Sequence, residues 1–387
     1  MFQKIILALV IYIGMALNIS INLNVSHATA GPMEISGVYY QKIVHMKDVI
    51  ADILPPPGYL IESYLISLQM IDAVESKASK KTLDDLVTYG DLLANGRSDK
   101  GQAAGYFERV EFWVKDLDDK NPVNLGLREL MTKKAVTPAK KFFDIRDKKL
   151  IPALNAGNIA EAQKIARTEL RPAYDEHRKV IDQIVADSTK EFLAAEKSAM
   201  DRIAKGEKSS DLKIKGKSYN QIIRMKDLIA DVLPPPAYAI ESLLVAMEMI
   251  DELDSQNGKP SDRLNKLIET GRLLKDGNSG KGETAGYVER VEYWKKNLSD
   301  KTLPEKKTKD LMTVTSVTPA MKFYAVRDEK LVPALKAGKV AEAKTILRNE
   351  LTPLYNEHRK AIDELVARAN KVYTQLEAEV AQQLVNH

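Results

Sequence analysis

The sequence predicts an all-α protein built from two tandem antiparallel helix-bundle modules of four-helix type, joined by a short polar linker. Three observations predict it: a long internal repeat, a helix-favouring composition, and a proline triplet that stops the first helix in each copy. Residues 40–76 (YQKIVHMKDVIADILPPPGYLIESYLISLQMIDAVES) return as 219–255 (YNQIIRMKDLIADVLPPPAYAIESLLVAMEMIDELDS), with 21 of 37 positions identical. Residues 137–185 return as 318–366, with 30 of 49 identical. The offset is 179 residues early and 181 later. That period far exceeds the roughly 20–50 residues of solenoid repeats, so each copy is a whole domain.

The chain has 387 residues, enough for two helical domains. Ala, Leu, Lys and Glu are plentiful, aromatics make up 6%, and no alternating β-branched run is long enough to force a sheet. Helices are expected over 36–53, 59–79, 82–95, 102–117 and 125–134. Pro55-Pro56-Pro57 cannot continue the first of them. Thr137-Pro138 reads as a cap and first turn, opening a helix that carries Phe142, Arg146 and Leu150. A long last helix is expected over 159–205, bent near Pro172.

The N-terminus reads as an export signal: Lys4, an apolar run from Ile5 to Leu17 broken only by Gly14, then Ala28-Thr29-Ala30 as a small-x-small cleavage site. The run is shorter than the about 20 residues of a spanning helix. The expected organisation is therefore a signal peptide over 1–30, module 1 over 31–206, a linker over 207–217 and module 2 over 218–387. The mature chain is expected to be soluble in the periplasm or secreted.

Cysteine is absent, which excludes disulfides, thiolate metal sites and a cysteine nucleophile. Acidic and basic residues are interspersed (58 basic, 54 acidic), so no electrostatic footprint for nucleic acid exists. His177 and His358 lack a second histidine one turn away and make poor metal ligands. The Gly277–Gly282 loop resembles a phosphate loop only superficially, and copy one has Gly96-Arg97-Ser98-Asp99-Lys100-Gly101 there. No catalytic motif is found, so neither an enzyme nor a cofactor carrier is expected.

Chemistry is expected where charge sits in an apolar setting. Glu62 is the only formal charge from Tyr59 to Met70, and Glu241 repeats it. A carboxylate there needs a partner. Arg109 follows Tyr106 and precedes Trp113 at three-and-four spacing; Tyr287, Arg290 and Trp294 repeat the pattern. An Arg–Glu pair between bundle helices serves either as a structural clamp or as a ligand site, and the sequence leaves both open. In the binding reading, Glu62 or Glu241 orients a cation or hydroxyl, and Arg109 or Arg290 holds a carboxylate. Trp113 or Trp294 closes the apolar side, and Tyr59 and Tyr238 line a bundle end.

The string Lys47 to Pro57 followed by Tyr59 and Ile61-Glu62-Ser63-Tyr64-Leu65 resembles the extracytoplasmic sensor region of bacterial methyl-accepting chemotaxis proteins. So does Arg146-Asp147 with Leu150-Ile151-Pro152-Ala153-Leu154 and Gly157, and Tyr174 with His177-Arg178 and Ile181-Asp182. Both copies carry these strings. The resemblance implies a helical-bundle ligand sensor. That family also carries a second membrane span and a signalling coiled coil, for which this sequence has no counterpart, so the implied part is the sensor half alone. The expected partners are a small polar molecule, a carboxylate or amine, and a membrane chemoreceptor. The alternative is a helical scaffold that docks on a receptor or self-associates without a small ligand.

Overall fold

The computed structural model describes residues 35–117, 122–208, 213–214, 217–233 and 237–385. The expected signal peptide lies outside these residues, as does most of the expected linker. The described residues are helical, apart from turns and one two-residue strand pair: β1 (Ile35–Ser36) and β2 (Lys213–Ile214), antiparallel with Ile35 opposite Ile214.

In the first copy α1 spans Gly37–Ile53 and stops at the proline triplet, as the lost N–H donors require. Helix α2 (Ile61–Glu75) is buried on nearly every face, which its almost uninterrupted apolar run dictates. Helix α3 (Lys80–Asn95) opens on Ser79, whose hydroxyl accepts from the Thr82 N–H at 3.2 Å. Helix α4 spans Tyr106–Asp116.

Two longer rods follow. Pro122–Glu129, Val136–Ile145 and Ile151–Asn155 run on as α5 (122–155), and Ile159–Ile165 continues into Arg171–Ala204 as α6 (159–204). The segments are joined by wide π-type turns at Leu130–Lys134, Arg146–Leu150 and Ala166–Leu170. Each wide turn contains the residue four before a proline (Pro138, Pro152, Pro172), whose carbonyl the proline ring would strike in a regular helix. Widening the turn relieves that clash without ending the rod. Thr137 therefore does not cap a new helix; it lies within α5, and its hydroxyl donates to the Lys133 carbonyl at 3.1 Å.

The second copy repeats the order: α7 (Lys217–Val232), α8 (Ile240–Ser255), α9 (Asp262–Asp276), α10 (Tyr287–Asn297), α11 (303–336) and α12 (340–385). Wide turns recur at Leu311–Thr315, Arg327–Leu331 and Leu347–Leu351, again around the residue four before Pro319, Pro333 and Pro353.

The described residues form two compact units, one of those up to 230 together with 373–385, the other of those between 231 and 372. In the first, α1 lies along α6, α2 packs on α3 and on the start of α6, and α4 packs on α3. In the second, α8 packs on α9 and on the start of α12, and α10 on α9. No helix among the described residues is long and apolar enough to cross a membrane.

Candidate functional site

Asp52 stands in the last turn of α1, where the helix carbonyls already concentrate negative charge, and it is buried. Such a carboxylate needs donors. They come from α4, whose Arg109 and Trp113 sit one turn apart on a single face. Arg109 Nε donates to Asp52 Oδ2 at 3.1 Å and Nη2 reaches Oδ1 at 2.5 Å; the Trp113 indole N–H donates to Oδ2 at 2.5 Å. The second copy builds the same clamp: Arg290 donates to both oxygens of Asp231, and Trp294 Nε1 to Oδ2 at 2.6 Å. It is more open there, with side-chain exposures of 30% for Arg290 and 20% for Asp231 against 11% and 6% for Arg109 and Asp52.

The expected pairing of Arg109 with Glu62 is thus replaced by pairing with Asp52. Glu62 is buried on α2 and accepts the Tyr89 hydroxyl at 2.7 Å; Glu241 is likewise buried. Asp52 and Asp231 were missed in the sequence, although each is a lone acid in an apolar run (Val49-Ile50-Ala51-Asp52-Ile53-Leu54), the signal that singled out Glu62.

Tyr59 and Tyr238 line no open bundle end. Both are buried, their hydroxyls bonded to those of Tyr174 at 2.8 Å and Tyr355 at 3.0 Å. Tyr59 also stacks on the imidazole of His177, with ring centroids 6.4 Å apart. His177 is fully buried, and its Nε2 lies 3.3 Å from the Tyr106 hydroxyl while Nδ1 has no hydrogen-bond partner. Burial pushes its pKa down to about 3. His358 accepts the Ala239 N–H on Nε2 at 3.3 Å and donates from Nδ1 to the Ser316 carbonyl at 2.8 Å. Burial brings its pKa to about 4. Both imidazoles are neutral near pH 7.

Arg146 is buried in a third polar knot: Nε meets Asp147 at 2.6 Å, and Nη1 donates to the Gly90 carbonyl at 2.6 Å. A methyl on Gly90 would lie 3.1 Å from Met70 Cε and 3.4 Å from that guanidinium, so a glycine in mid-α3 keeps the space open. Arg327, Asp328 and Gly271 repeat the knot.

The loop before α4 is a tight turn. Its Ser98 N–H donates to Glu108 at 2.8 Å, and Gly105 N–H donates to the Gly96 carbonyl at 2.8 Å. Its glutamate sits in the first turn of α4, where the helix dipole favours an acid. Ser279, Glu289, Gly277 and Gly286 do the same in copy two.

A surface hollow of about 740 Å³ lies in the second unit against Glu329, Lys330, Lys339, Glu342 and Glu350. None of the eight residues expected to bind ligand lines it. Among the described residues no group of three His, Asp or Glu side chains is placed to hold a metal. No family model, curated protein or solved structure matches the chain.

Proposed function

We propose that the chain is a non-enzymatic, extracytoplasmic interaction protein: a sensor-like scaffold of tandem four-helix-type modules that docks on other proteins, a membrane chemoreceptor among them, without holding a small molecule between its helices. One observation carries this reading. Arg109, Trp113, Arg290 and Trp294, the side chains best suited to grip a small acid, already grip Asp52 and Asp231. A ligand carboxylate would have to displace a carboxylate of the chain itself and leave it buried without donors, a costly exchange. Exposed apolar side chains two turns apart on α6, Leu193 and Met200, offer contact surface instead.

The experiment is a thermal-shift screen of the chain without residues 1–30, using carboxylates, amino acids and amines at millimolar concentration. No compound is expected to raise the melting temperature, since stabilisation by mass action needs a native-state site. A rise that R109A and R290A together abolish would overturn the proposal.

A second reading, a small polar ligand held outside the cytoplasm, is favoured by the greater exposure of the Asp231–Arg290 clamp. It puts binding in the second copy, so R290A alone would abolish a ligand-induced shift there.

A further inference from the structure

Equivalent residues of the two copies meet one another reciprocally within the first compact unit. Lys47 pairs with Asp227, and Lys226 with Asp48 at 2.7 Å; these are the same two positions of the repeat, 179 residues apart. Tyr40 donates to Glu377 at 3.3 Å, and Tyr219 donates to Glu196 at 3.2 Å. The rings of Tyr40 and Tyr219, themselves equivalent, meet edge to face at 6.3 Å. Within its own copy each lysine rests on an aromatic ring, Lys47 3.9 Å from the Phe192 centroid and Lys226 4.2 Å from that of Tyr373. Ile35 pairs in register with its counterpart Ile214. Between these polar pairs sits an apolar centre containing Ile43 and its counterpart Ile222.

A contact set in which residue i of one copy meets residue j of the other, and j meets i, is the mark of an isologous twofold interface. A chance contact between two halves of one chain has no reason to obey it at every position. Burial adds a second argument. Lys47 and Lys226 are 5% and 4% exposed, and a buried ammonium is tolerated only when paired. Each half alone would leave this lysine without its cross-copy carboxylate and bare the apolar centre.

We infer that the first helix of each copy, with the far end of its last helix, forms a self-complementary dimerisation face, and that within the first unit the two copies of this face are paired in cis. The partner this face fits is the same face of another half of this chain. The inference does not rest on the function proposed above.

The test uses the full chain with a protease site placed at Ser209-Ser210, cut under native conditions. The two halves are expected to elute together. When cut preparations bearing different tags on their first halves are unfolded in urea and refolded together, first half should capture first half, because Lys47 and Asp48 of one meet Asp48 and Lys47 of the other. The paired exchange K47D/D227K keeps opposite charges facing in cis but gives the first half two adjacent acids. It should retain the complex of unlike halves and lower first-half capture by about tenfold or more, as like charges across an interface are strongly unfavourable. Separation of the cut wild-type halves would overturn the inference. So would absence of first-half capture in the wild type, or capture that the exchange leaves unchanged.

Discussion

A buried carboxylate at the end of a helix is stable only while its donors stay. Removing Arg109 leaves Asp52 enclosed with the indole N–H as its remaining donor, so R109A should lower stability by about 3–5 kcal/mol, the usual cost of stranding one member of a buried pair. Arg290→Ala should cost less, about 2 kcal/mol, because water reaches Asp231 more readily. W113F keeps an aromatic ring but removes a donor to a charged acceptor, and should cost about 2 kcal/mol. Urea midpoints of the three variants check the order; equal losses for R109A and R290A would mean that exposure does not govern the clamp. Half of this site was legible in the sequence. Arg109 and Trp113 stand one turn apart on one helix, and local spacing reveals that. Their acceptor could not be chosen the same way, because Asp52 and Glu62 are both lone acids in apolar runs and only the packing of α4 against the end of α1 decides between them. The tyrosines Tyr59 and Tyr238 were misplaced for a related reason: position after a proline triplet says nothing about the hydroxyls of Tyr174 and Tyr355 that arrive from elsewhere in the chain.

At the scale of elements, the glycines around α4 separate a close backbone approach from a mere absence of side chain. A methyl on Gly105 would lie 2.5 Å from the Gly96 nitrogen and 2.7 Å from the Ala94 carbonyl oxygen, both backbone atoms that cannot swing away. Gly105→Ala should therefore cost about 1–3 kcal/mol by overpacking and should shift α4, disturbing the Trp113 environment. Gly126, in α5, has nothing within 4 Å of its would-be methyl. There Gly126→Ala should raise stability by up to about 1 kcal/mol through helix propensity. Opposite signs in the two melting curves, with a change in tryptophan emission for Gly105→Ala alone, are the expected outcome. Element order was readable from the sequence, since the proline triplet and the apolar run of α2 act locally; the Ser79 cap was not read, and the helix expected over 59–79 ends at Glu75 instead. The rods α5 and α11 were not. A proline inside a helical pattern reads as a start or a bend, whereas a wide turn one step upstream absorbs Pro138, Pro152 and Pro172 and lets the helix continue.

Over the whole molecule the two copies contribute one buried neutral histidine each, and these set the response to acid. Folding holds His177 at about 3 and His358 at about 4, against about 6.5 in an unfolded chain. A base whose pKa is lowered by folding is protonated first in the unfolded state. Its contribution is therefore complete above pH 6.5 and is lost as pH falls, down to the folded value. While the unfolded state carries one extra proton per histidine, each costs about 1.4 kcal/mol per pH unit. From pH 6.5 to 5 the pair should remove about 3 kcal/mol in total, since the unfolded imidazoles are already half protonated at pH 6.5. Asp116, Asp182 and Glu377 work in the opposite sense, because burial raises their folded values and the folded state then takes up protons first as pH falls. Their effect opposes that of the histidines and flattens the acid limb. His177 faces the hydroxyl of Tyr106, whose pKa burial raises, and the ring of Tyr59. Urea unfolding free energies measured between pH 7 and 5 should decline with a slope that H177F roughly halves. The slope is the quantity to read, since the substitution also lowers stability at every pH. A slope unchanged in H177F would mean that this imidazole is already protonated, or already exposed, in the native protein.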